Sequence, residues 1–149
     1  MTQLSPNFSL EELTRSQASL RLGIDNQPNE EQLANLTRLA NDLLEPVRAL
    51  LGFPLHIDSG FRCPQVNAAV GSTASHSAHL DGRAADVIPV GMDLKKAFDL
   101  IRQGIIFDQL IIECNAWLHI AVATEGAHPR RQALVASGSP GHWTYEVAP

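Results

Sequence analysis

The stretch Asp108-Gln109-Leu110-Ile111-Ile112-Glu113-Cys114-Asn115-Ala116-Trp117-Leu118-His119-Ile120-Ala121-Val122-Ala123 decides the fold class. Two apolar segments, Asp108 to Glu113 and Trp117 to Ala123, are separated only by Cys114-Asn115-Ala116, a spacing that predicts an antiparallel hairpin. Downstream, Gln132 to Ala136 offers one more strand, and the Gly/Pro-rich tail reads as loop. Upstream, Asp93 can cap a helix whose inner face is Leu94, Ala97, Phe98 and Ile101 and which Gly104 ends. Ala84 to Val90 reads as a buried strand that stops at Pro89 or Gly91. Leu55-His56-Ile57-Asp58, closed by Ser59-Gly60, alternates apolar and polar residues as a strand does. Between these two strands, Ala69 to Gly82 is rich in Gly, Ser, Ala and His, has no period, and reads as loop.

The front third is helical. Ser9-Leu10-Glu11-Glu12 has the form of a capping box, with Leu10, Leu13 and Leu20 marking a short amphipathic helix that stops at Gly23. Ile24 to Pro28 is a loop by its turn residues. Asn29 with Gln32 offers a second cap, after which Leu33, Leu36, Ala40, Leu43, Val47 and Leu50 recur at steps of three and four. That pattern predicts one long helix with one buried face, kinked where Pro46 removes an amide donor. The sequence therefore predicts a single α+β domain over 1–149. A helical lead-in, 1–52, precedes an α+β core, 53–149, built on a small antiparallel sheet.

Composition narrows the function classes. The chain has 149 residues, 44% of them hydrophobic, enough for a core without disulfide staples. Eleven Lys and Arg against sixteen Asp and Glu leave a net charge of −5, which disfavours a nucleic-acid binder relying on phosphate neutralisation. The same balance gives no electrostatic attraction to an anionic cell wall. No run approaches the roughly 18 apolar residues needed to span a bilayer, so no membrane insertion is expected. The start, MTQLSPNFSLEELTRSQ, has neither a basic leader nor an apolar core, so no secretory signal is expected. Cys63 and Cys114 cannot build a disulfide framework.

Chemistry concentrates in two segments. In Ser77-Ala78-His79-Leu80-Asp81-Gly82-Arg83-Ala84-Ala85-Asp86, a loop histidine precedes by seven residues an aspartate set inside an apolar strand. Burying that carboxylate is costly unless something positive pairs with it. In Trp117-Leu118-His119-Ile120-Ala121-Val122, a second histidine occupies the middle of another apolar strand. Two histidines and a carboxylate form a common catalytic zinc set that leaves a fourth position open. The plainer alternative is that Asp86 and His119 simply pair within the core.

In combination these segments resemble the M15 zinc peptidases, the D-Ala-D-Ala carboxypeptidase group, and in particular its short phage and prophage version. The resemblance rests on Ser59-Gly60-Phe61-Arg62-Cys63-Pro64, Asn67-Ala68-Ala69-Val70-Gly71, Ser77-x-His79-x-x-Gly82-x-Ala84-x-Asp86, Glu113 and Trp117-x-His119. The lead-in Phe8-Ser9-x-x-Glu12-Leu13 with Asn26-x-Pro28 is similar too, and the likeness runs to about Val122. It implies a hedgehog/D,D-peptidase-like fold with His79, Asp86 and His119 as ligands of Zn2+. Gly82 and Ala84 would allow close packing behind the metal. Arg62 would hold a substrate oxygen and stabilise an oxyanion, Ser77 would hydrogen-bond the peptide, and Trp117 would wall the site. Glu113, ending one strand of the hairpin while His119 lies in the next, is the candidate general base. The family often places this acid two or three residues before the last histidine, where this chain has Ala116 and Trp117.

The implied activity is cleavage of peptidoglycan stem peptides, as a D,D-carboxypeptidase or an endopeptidase, by a monomer delivered to the cell wall by a holin or a virion. The competing reading is a non-catalytic, zinc-containing structural or wall-binding virion component. Other candidates read more plainly. His76 is a solvated loop histidine, Asp81 a turn residue, and Cys63 and Cys114 buried free thiols. Lys95 and Lys96 are an exposed helix face. His128, His142, Trp143 and Tyr145 read as ordinary surface rather than a substrate groove.

Overall fold

The computed structural model describes residues 1–71, 77–139 and 142–149. A small antiparallel ribbon, β1 (Gln3–Ser5) and β2 (Phe8–Ser9), opens the chain. Ser9 then caps α1 (Leu10–Thr14) by accepting from the Glu12 amide. The single amphipathic helix expected here is two. Arg15 turns extended (ψ 131) and ends α1, and the Ser16 side chain caps a separate α2 (Gln17–Leu22). The break rotates the inward stripe, so Ala18 is buried while Leu20 is 78% exposed. Gly23, left-handed at φ 67, ends α2 as expected.

Asn29 and Gln32 form the reciprocal capping box at the start of α3 (Glu30–Leu39). One π turn, Ala40–Leu44, carries the chain into α4 (Glu45–Leu51). The departure from α geometry thus lies just before Pro46. The Glu45 amide reaches back five residues to the Ala40 carbonyl, and the widened turn takes in a proline that can neither donate nor fit a regular turn. Leu36, Leu39, Ala40, Leu43, Leu44 and Val47 stay fully buried through the change, whereas Leu50, expected inward, is 41% exposed.

The remaining elements are β3 (Leu55–Ser59), α5 (Pro64–Ala69), β4 (Ala84–Pro89), α6 (Leu94–Gly104), β5 (Gln109–Glu113), β6 (Trp117–Ala121), β7 (Gln132–Ser139) and β8 (His142–Val147). The last six strands make one sheet in the order β3-β4-β6-β5-β7-β8. The predicted hairpin is β5–β6, in register with Leu110 opposite Ile120. Every pair is antiparallel except β5–β7. The exception has a steric cause. β6 is already flanked by β4 and β5, so the chain leaving β6 returns past the start of β5 and runs beside it in the same direction.

Two of these elements, α5 and β8, were not expected, and a third, β7, runs further than expected. The Pro64–Ala69 helix is too short for a periodic signal. β7 is longer than predicted, and the tail read as loop contains β8, an exposed strand held by pairing with β7 rather than by burial. Helices cover one face of the six-stranded sheet, enclosing Phe8, Leu13, Phe61, Phe98 and Ile101 with Val87, Leu110, Leu118 and Ile120. No helix among the described residues is long and apolar enough to cross a membrane.

Candidate metal centre

Side chains alternate across a strand, so one face of β4, β6 and β5 enters the core while the other is left for chemistry. Ala85, Val87, Leu110, Ile112, Leu118 and Ile120 take the core face. Asp86, His119 and Ile111 lie in register across the three strands on the other face, with Trp117 opposite Glu113 in the next row. His79 comes from a different source, the turn at 77–82. Ser77 Oγ accepts from the His79 amide at 3.3 Å, and the His79 carbonyl accepts from the amides of Arg62 (3.1 Å) and Gly82 (3.3 Å).

Two glycines make this turn possible. Gly82 has φ +75, and a Cβ there would stand 2.6 Å from the Gln32 carbonyl oxygen of α3. A Cβ on Gly60 would press into the Leu13 carbonyl at the end of α1. That close approach lets Phe61 N–H donate to Leu13 O at 2.8 Å. It also aims the Gly60 carbonyl at His79 Nδ1, 2.8 Å away. Buried Asn26 holds the same segment, donating to Thr14 O and Phe61 O and accepting from the Cys63 amide.

A carbonyl can only accept, so His79 Nδ1 carries the proton and Nε2 presents a lone pair to the site. His79 Nε2, His119 Nδ1 and Asp86 Oδ1 form a triangle with all three edges at 3.2 Å. All three residues are buried. Three acceptor-capable atoms this close need something between them, either a hydrogen carried on His119 Nδ1 or a cation. Tetrahedral zinc with bonds of about 2.0–2.1 Å sets neighbouring donors about 3.3–3.4 Å apart, close to the observed edge. The donor set, its spacing and the fixed His79 proton therefore fit a zinc ion with an open coordination position.

The electrostatics agree. Burial, opposed by Asp86, pushes the His79 imidazole below its ordinary value, so it is neutral at pH 7, the form that ligates metal. Burial works against a charged Asp86, but the adjoining His79 and His119 imidazoles hold its carboxyl well below the usual range. The other Asp86 oxygen accepts from Arg62 Nη2 at 3.0 Å, while Arg62 Nε donates to Ser59 Oγ. Arg62 thus braces the aspartate from behind and keeps further guanidinium hydrogens for the cleft.

Glu113 sits beside this triangle at the end of β5. The turn after it is left-handed at Cys114 and Asn115 (φ 51 and 52), closed by Ala116 N–H to Glu113 O, and returns the chain so that Trp117 Nε1 donates to Glu113 Oε2 at 3.0 Å. Burial, reinforced by the charge of Asp86, raises the Glu113 carboxyl above its usual value despite the Trp117 bond. His79, Asp86, His119, Glu113, Arg62, Ser77 and Trp117 all line one cleft of about 1300 Å³. That exceeds the range typical of a single small ligand.

Trp143 and Tyr145, expected to be ordinary surface, line the same cleft. The surface reading prevailed over the groove reading because β8 has no burial pattern of its own. His128 and His142 are exposed and lie outside the cleft lining. Asp81 does sit in the turn, bound to Arg83 at 3.0 Å. Both cysteines are free thiols, but Cys114, read as buried, is exposed at the hairpin turn. Lys95 bonds Asp99 on the outer face of α6. His76 lies outside the described residues. The Gly60 carbonyl and Asn26 were missed as site-positioning groups, because a backbone acceptor and a loop asparagine leave no sequence signal of what they will bind.

A family model described as Peptidase M15 matches residues 6–121, from just before β2 to the last residue of β6. No curated protein matches the chain.

Proposed function

The chain belongs to the Peptidase M15 family, and from that premise we propose that it is a zinc-dependent peptidase acting on the stem peptides of peptidoglycan. The observation that carries this reading is the convergence of His79, Asp86 and His119 in one buried triangle, with Glu113 beside them on the same sheet face. The combination of Ser-x-His, Gly-x-Ala-x-Asp and Trp-x-His units supports the choice of substrate class. The family supports a peptide as substrate.

His79 Nε2, His119 Nδ1 and Asp86 Oδ1 would hold the metal. Bound zinc supplies Lewis-acid polarisation of a carbonyl and lowers the pKa of water. Glu113 does the proton work: its carboxylate accepts a proton from the attacking water and returns it to the departing amine. Trp117 fixes the Oε2 oxygen while that happens. Arg62, braced against Asp86 and Ser59, directs its remaining donors at a substrate carbonyl or terminal carboxylate. Ser77 holds the His79 amide and so the angle of the ring. In keeping with the resemblance, the setting we favour is a phage or prophage lysis or virion protein.

Mass spectrometry of purified sacculi digested with zinc-loaded protein tests the reading, because fragment masses identify the cut bond. Peptide fragments whose ends mark one bond type are expected. Stoichiometric zinc with no released peptide would sink the enzymatic reading and leave the non-catalytic virion component.

A further inference from the structure

We infer that the β7–β8 hairpin is a substrate-binding element, with Trp143 and Tyr145 holding the peptide beyond Glu113. The inference rests on the peptidase reading but concerns residues outside the 6–121 span of the family model.

The sheet register places these aromatics. Glu113 pairs with Ala136 on β7, and Ala136 pairs with Tyr145 on β8, so Glu113 and Tyr145 occupy one row on the site face. The row two residues away runs Asp86, His119, Ile111, Leu134. Trp143 packs against Ile111, Leu134 and Ala136, a small apolar cluster separate from the main core and on the opposite face of the sheet. The hairpin's apolar residues on this face therefore serve the cleft rather than the helices. Trp143 also lies directly opposite Gly138, where φ is +112 and a Cβ would collide with the His142 carbonyl. That glycine lets the two strands approach closely under the indole. Tyr145 remains 51% exposed, an aromatic facing a cleft on a strand that has no burial to gain from it. Burial together with the charges of Glu113 and Asp86 raises its phenol, which stays a hydrogen-bond donor over the working pH range.

The distances define the ligand. Two strand spacings separate Glu113 from Tyr145, about 9–10 Å. An extended peptide covers that in about three residues. The occupant is thus a peptide of at least three residues on that side of the cleaved bond, with an aliphatic side chain or backbone against Trp143 and a carbonyl in reach of the Tyr145 hydroxyl. A dipeptide ends before the wall.

Calorimetric titration of zinc-loaded Glu113→Gln protein with a soluble five-residue stem peptide, and with D-Ala-D-Ala, tests this without turnover. Adding Tyr145→Ala or Trp143→Ala should weaken the longer peptide about tenfold and leave the dipeptide within twofold. Glu146→Ala, one residue along β8 on the other face, should change neither. Tyr145 is half exposed, so its variant keeps the fold, which an unchanged Tm checks. The inference is overturned if the longer peptide binds Tyr145→Ala within twofold of the parent, if both ligands lose affinity equally, or if the parent binds no peptide. Hairpin-dependent binding with no cleavage of sacculi by the wild type would instead remove the peptidase reading and leave the hairpin's role standing.

Discussion

Gly60→Ala should damage the metal centre without touching a ligand. The added Cβ would stand 3.0 Å from the Leu13 carbonyl carbon and 3.1 Å from its Cα, and nearer still to its oxygen. Carbon atoms pack at about 3.5–4.0 Å, so residues 60 and 61 must retreat from α1 by roughly 0.5–1 Å. That retreat stretches two bonds of 2.8 Å, Phe61 N–H to Leu13 O and His79 Nδ1–H to Gly60 O. Overpacking of this kind costs about 1–3 kcal/mol. In a chain of this length that lowers Tm by about 2–10 °C. Freed of its carbonyl partner, His79 loses its fixed tautomer and orientation, and zinc affinity should fall about 10- to 100-fold. Competition with a chromophoric chelator reads the affinity, and scanning calorimetry reads the melt. A folded variant with a lowered Tm and unchanged zinc affinity would refute the claim that the Gly60 carbonyl orients His79.

Other perturbations separate the remaining roles. Glu113→Gln should retain zinc while peptide release from sacculi drops by about 10²–10⁴-fold; persistent turnover would place the base elsewhere. Because a base must be deprotonated and the Glu113 carboxyl is raised, kcat/KM should climb with pH through a midpoint above the ordinary glutamate value. Trp117→Phe removes a hydrogen bond that favours the charged form, so it should move that acid limb further up; a downward move in the pH profile contradicts the contact. Arg130 holds buried Asp108 through Nη2 at 2.8 Å and its own amide at 3.0 Å. Burial opposes that aspartate's charge, but the Arg130 bonds prevail and depress its folded pKa. The stabilisation is therefore present above about pH 4 and is lost as pH falls through the lower folded value. Arg130→Ala should remove about 1 kcal/mol at neutral pH, where most of the Arg130 side chain is in water, and flatten the acid limb of stability in thermal melts.

The sequence made the strands of the site legible because burial and chemistry use alternate residues there. Leu118 and Ile120 announce a strand, and a histidine between them announces something other than packing. Helix caps at Ser9, Asn29 and Asp93 were equally legible, being local hydrogen bonds written in neighbouring residues. What stayed hidden depends on distant partners. The break at Ser16 gives no contrary periodicity, since Leu20 still fits the helical spacing. β8 carries Trp143 and Tyr145 on a strand that only β7 stabilises, so no apolar pattern marks it. The bracing of His79 runs through a backbone carbonyl, which every residue possesses.

The two-faced sheet has a consequence for how this protein tolerates change. Along β4, β6 and β5, one set of residues answers to the stability of the core and the interleaved set to the metal and its substrate. A survey of all single substitutions scored separately for abundance and for activity should show two interlocked combs, each with a period of two. A one-residue insertion in the Cys114–Ala116 turn would exchange them, turning Leu118 toward the cleft and His119 into the hydrocarbon core. Point changes on the site face can therefore alter chemistry while the fold persists, whereas the length of that turn can scarcely change at all.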